Sequence, residues 1–313
     1  MIILAATALV LGSAAAAAIA PVWTYAISLA LFGLPHVLIE LRYVDERFAA
    51  RMPRNLLLGL GIGVAGIVLM RAFGLLSVGS NDERITLELV LGVSLIAVAF
   101  PLLRHAKTSP LAIAAGASLL LGILYAPIAT LVTMALLHNL TPVGFLAERL
   151  RGRERRRAMA LCAIVFGVIP AAILILPASS TMLTGPLTVG HLDNHISTFV
   201  PPALLGTSFA DRLFATAAFL QCMHYAVVMH VLPRLSGGTE ATSAVVPWPK
   251  QRLFTAAVVA VGLLMTIGFL ANFRSARSVY SMFAAVHAWI EIPVLLIACA
   301  VLPRNATSQT TAA

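Results

Sequence analysis

The sequence predicts an all-α protein, a polytopic transmembrane helix bundle of about eight to ten spans, and three features carry that prediction. Of 313 residues, 60% are hydrophobic and only 11% charged, with a mean hydropathy of +0.97. A water-soluble fold of this size needs far more charged surface, whereas lipid accepts an apolar exterior. Apolar runs near the roughly 20 residues that cross a bilayer recur along the whole chain. Basic residues collect in alternate connectors, as the positive-inside rule requires.

Taken in order, the runs lie near 2–20, 22–41, 55–73, 85–103, 109–125, 127–148, 158–177, 212–233, 253–271 and 278–302. Pro21 and Pro127 divide two longer apolar stretches into hairpins, because proline starts a helix readily and interrupts one poorly. The first run lacks the basic leader of a secretion signal, since Met1 to Val10 is uncharged, so it is expected as a retained helix. One bundle domain, 1–303, and a disordered polar tail, 304–313, account for the chain. The Asn305-Ala306-Thr307 sequon falls in that tail, on the predicted inner side, and is expected to be without consequence.

With the N-terminus inside, the inner connectors are 42–54, 104–108, 149–157, 234–252 and the tail. They hold sixteen of the 21 Lys and Arg residues; Arg71, Arg84, Arg212, Arg274 and Arg277 fall outside. The expected location is therefore a bacterial inner membrane with both termini cytoplasmic. The net charge of +9 reads as topology signal and contact with anionic lipid, and nucleic acid is excluded as a partner. Cys162, Cys222 and Cys299 lie in apolar runs with no metal or disulfide spacing, and are expected to be small hydrophobes. The connector 178–211 is long and almost uncharged; it holds His191 and His195 and reads as a loop, lid or re-entrant cap.

Ionisable side chains inside spans cost about 2.5–3.5 kcal/mol each on insertion scales, so each needs a reason. His36 and Glu40 share the second run, His138 the sixth, His224 and His230 the eighth, and His287 and Glu291 the tenth, with Glu88 near the outer end of the fourth. A separation of four residues puts His36 with Glu40, and His287 with Glu291, on single helix faces. Each pair suits a metal ligand and its orienting carboxylate, or two ligands. His36 is expected about one turn nearer the inner surface than the others. His224 and His230, six apart, point in different directions on a regular helix, so one of them is expected to have another task unless the helix is distorted. His105, beside Arg104, belongs to a basic connector. A lone membrane histidine usually bonds a neighbouring helix; five in spans, with two His/Glu pairs, favour a shared site.

Gly33-Leu34-Pro35-His36 with the acid Glu40 resembles the Gly-x-Pro-His-x-x-x-Asp helix motif of the Brp/Blh carotenoid-cleaving dioxygenases, polytopic bacterial membrane proteins. The resemblance covers about ten residues and implies a non-haem iron held by histidines from several helices, His36 among them. Glu40 stands where that family has Asp. His224 and His230, before Pro233-Arg234, resemble the family's late histidine pair at a different spacing, and His138 is left for its remaining histidine.

The expected function is a membrane-embedded, metal-dependent oxidoreductase acting on a lipophilic small molecule such as an isoprenoid or acyl chain. Iron is the expected metal, because imidazole and carboxylate donors suit it and leave positions open for oxygen. His36, His138, His224 and His287 are the expected ligands, Glu40 and Glu291 ligands or orienters, and His230 a reserve. Two other classes fit parts of the pattern. A proton-coupled transporter also places His and Glu at the midplane, and a bis-histidine haem carrier needs two histidines at one depth, such as His138 and His224.

Overall fold

The computed structural model describes residues 2–49, 52–104, 106, 108–176, 189–235 and 245–300. His105, the sequon and the tail predicted at 304–313 lie outside the described residues, as does much of the first half of the 178–211 connector. Among the described residues the secondary structure is helical, with no strand. The helices are α1 (Ile2–Ile19), α2 (Pro21–Phe48), α3 (Arg54–Leu75), α4 (Asn81–Leu103), α5 (Ser109–Tyr125), α6 (Pro127–His138) and α7 (Thr141–Arg149). They continue with α8 (Gly152–Ile175), α9 (Ser208–Leu235), α10 (Gln251–Ala271) and α11 (Phe273–Ala300).

Among the described residues, each of the ten predicted runs is mostly helical, and both prolines act as expected. Pro21 and Pro127 occupy the first turns of α2 and α6, behind Ala20 and Ala126, whose non-helical backbones turn the chain. Seven helices, α2, α3, α4, α8, α9, α10 and α11, are long and apolar enough to cross a membrane. The pair α6 and α7, bent by 42° at their junction, makes an eighth crossing if counted as one span. The described α1 and α5 are shorter than these. The exposed leucines and isoleucines of α10, among them Leu253, Leu263, Leu264, Ile267 and Leu270, mark a lipid-facing side rather than a packing defect.

Helix α2 is the hub, packed against α9, α10 and α11, while α11 also lies on α3, α4 and α7. Two apolar clusters result. One gathers Tyr43, Val44 and Phe48 of α2 with α3, α4, Phe145 of α7 and the Val294–Ala298 stretch of α11. The other gathers Val22, Tyr25 and Leu29 of α2 with Phe214 and Phe219 of α9, Phe269, Phe273, and Phe199 and Val200 of the connector. Along α2 and α9 the buried histidines fall between the two clusters, and on α11 His287 lies among members of the first, between Ala285 and Trp289. Pro35 removes one backbone donor from the middle of α2. Helix α10 closes on that point: Gly262 lies against the Pro35 ring, and the Thr266 hydroxyl donates to the Ala30 carbonyl at 2.9 Å.

Candidate metal centre

Three of the four expected ligands sit near the middle of 28-residue helices, His36 on α2, His224 on α9 and His287 on α11. The fourth, His138, ends α6 at the bend. That bend is built by the local sequence. The Thr141 hydroxyl donates to the His138 carbonyl at 2.8 Å, and the buried Asn139 amide donates to the carbonyls of Ala135 and Leu136. Pro142 then starts α7. The result is a helix end whose last side chain turns into the bundle.

The four imidazoles converge. One nitrogen from each of His36, His138, His224 and His287 lies within 4.8 Å of the other three. The His36 ring centre is 4.9 Å from that of His287 and 5.2 Å from that of His224, and the His138 centre is 4.6 Å from His287 and 4.7 Å from His224. His36, His224 and His287 are each no more than 1% exposed. The one-turn offset expected for His36 is not observed, because α2 runs on to Phe48, past its predicted end at 41, and its midpoint moves with it.

Each ring turns one nitrogen toward an oxygen. His36 Nδ1–H donates to the Phe32 carbonyl at 3.0 Å, and His287 Nδ1–H lies 3.5 Å from the Phe283 carbonyl. His138 Nδ1 is 3.1 Å from Glu291 Oε2, and His224 Nε2 is 3.3 Å from Glu40 Oε2. The nitrogens left over are Nε2 of His36, His138 and His287, and Nδ1 of His224.

The carboxylates therefore serve partners that the sequence spacing does not suggest. Glu40 lies one turn beyond His36, yet it meets His224 of α9; Glu291 lies one turn beyond His287, yet it meets His138 of α6. Four-residue spacing sets a shared face, and the next helix supplies the partner. Both acids are fully buried, and neither contact has hydrogen-bond angles, so among the described residues no donor reaches their four oxygens. A second grouping, Glu40 with His287 and Glu291, meets the same 4.8 Å limit, so all six side chains surround one small space.

These residues fit a metal ion. His36 Nε2 and His287 Nε2 stand 3.2 Å apart, and with both Nδ1 atoms donating to carbonyls, neutral rings turn lone pairs toward each other there. Two nitrogens bound to one ion at about 2.0–2.1 Å sit about 3.0–3.4 Å apart, so the separation is that of neighbouring ligands. Four neutral nitrogens with two nearby carboxylates, and no thiolate in the group, suit a transition ion such as iron, zinc, copper or nickel. The carboxylates would balance the charge of one divalent ion where the surrounding apolar packing offers little other compensation.

The remaining histidines stand apart. His230 is exposed; it lies in the π-turn Val227–Val231, six residues beyond His224, and is not in the cluster. His191 is exposed. His195 is buried outside the spans, donating from Nε2 to the Val189 carbonyl at 2.7 Å and accepting from Arg277 at 3.0 Å. Burial, and then the Arg277 charge, hold its pKa below the usual histidine range. It ties the connector to α11 and takes no part in the centre.

One neighbour escaped the sequence reading. The Tyr225 ring lies 4.0 Å from the His36 ring, their planes inclined by 31°. Only its place beside His224 pointed to it. No protein-family model, no curated protein and no solved structure matches the chain.

Proposed function

We propose that the protein is a membrane-embedded non-haem iron oxygenase whose substrate is a lipophilic small molecule of the isoprenoid or acyl type. The observation that carries this reading is the convergence of four imidazoles from four helices within 4.8 Å. His36, His138, His224 and His287 would hold the ion. Bound there, iron would supply dioxygen activation. Glu40 and Glu291, beside the rings of His224 and His138, would orient them once the ion is bound and supply countercharge. The apolar clusters on either side exclude water from the reacting groups. A lipophilic substrate fits this setting because it reaches such a centre from the bilayer without crossing water.

The local likeness of Gly33 to Glu40 to the Brp/Blh motif supports the same chemistry. A bis-histidine haem is a poorer fit, because His36 and His138 both pack within 5.2 Å of His224 and His287, the pair at 6.3 Å, and occupy the space beside it that a macrocycle would need. The excess of Lys and Arg in alternate connectors supports a bacterial inner membrane with both termini cytoplasmic. Metal analysis of purified protein tests the reading. About one iron per chain without a Soret band, lost in His36→Ala and His287→Ala, is the expected result. Full iron occupancy in either variant would overturn it.

A further inference from the structure

Resting on the metal-centre reading, we infer that Tyr225 is a positioning residue that fixes the His36 ring. The two carboxylates are committed elsewhere, Glu40 to His224 and Glu291 to His138. Apart from the contact of its Nε2 with His287 Nε2, His36 has the bond from its Nδ1 to Phe32, and that bond leaves the ring free to tilt about it. Tyr225 closes that freedom by lying over the imidazole face. His224, the residue before it, meets His36 edge-on at 88°, so α9 presents one ligand and one brace in successive positions.

Tyr225 is itself held. It is 5% exposed, and its hydroxyl lies 3.4 Å from that of Tyr280 on α11. Tyr280 in turn packs on Gly33, where an added methyl would come within 3.1 Å of its ring. The brace thus runs from α11 through Tyr280 and Tyr225 to His36, and returns to α2 at Gly33. What His36 requires is the flat face of Tyr225. The hydroxyl is dispensable for that purpose.

Cobalt(II) titration of detergent-purified, chelator-stripped full-length protein tests the inference, read as affinity and as the visible ligand-field absorption. Tyr225→Phe keeps the face and should match wild type within about twofold, as should Tyr280→Phe. Tyr225→Leu should weaken binding about 10- to 100-fold, the usual range for groups that orient a ligand, and change the absorption. Tyr225→Met, close in length but lacking a flat ring, gives the same reading should the Leu variant fail to fold. In a His36→Ala background, Tyr225→Leu should add no further loss, since coupled residues are non-additive. Wild-type affinity in both Tyr225→Leu and Tyr225→Met, or an equal loss with and without His36, overturns the inference. One cobalt per wild-type chain with that outcome leaves the metal centre standing; no cobalt in wild type removes both.

Discussion

Glu88 and Glu148 are as deeply buried as Glu40 and Glu291, at 5% exposure or less, yet their surroundings differ in kind. Glu148 forms a two-bond pair with Arg47, at 2.9 and 3.0 Å. Glu88 accepts from Arg71 at 2.6 Å and from the Trp289 indole at 2.9 Å. Glu40 and Glu291 face imidazoles, with no arginine or lysine among their contacts. The first pair are finished ionic contacts that fasten helices. The second pair are left electrically incomplete by the protein, which is the condition of a site that takes a cation.

The contrast can be broken most directly at Glu148. Glu148→Ala strands a mostly buried arginine, and removing one member of a buried pair costs about 3–5 kcal/mol. A large fall in thermal midpoint with unchanged iron content is expected; loss of iron with it would erase the distinction. Glu40→Gln should do the reverse, weakening iron affinity about 10- to 100-fold while leaving the metal-free protein at least as stable as wild type, because a buried carboxylate without a donor has gone. Chelator competition and a thermal melt of the stripped protein measure the two effects. Trp289→Phe removes one hydrogen bond to a charged group, worth about 1.5–3 kcal/mol, and should lower stability without altering iron content. His230→Ala should change neither quantity, and iron loss there would return His230 to the centre.

Much of this was legible in the sequence. Pro21 and Pro127 marked helix starts because ring geometry acts locally, and the apolar runs fixed the helices because burial in lipid demands length. The four converging histidines and two acids could be singled out because ionisable groups in spans are costly. The pairing of the acids could not. Four-residue spacing reports the face of one helix, whereas Glu40 and Glu291 reach across to α9 and α6, and such partners depend on how helices pack. The Tyr225 brace was hidden for the same reason, whereas the divergence of His230 from His224 was already legible in their six-residue spacing.

His36 and His287 stand 251 positions apart in the chain and touch in the fold. A nascent polypeptide that has inserted every helix up to α10 therefore still lacks one of the four converging histidines, along with the acid beside His138. On the iron-centre proposal, metal capture is the closing event of biogenesis, arriving after membrane insertion is complete, and metal content gauges how many molecules have finished assembling.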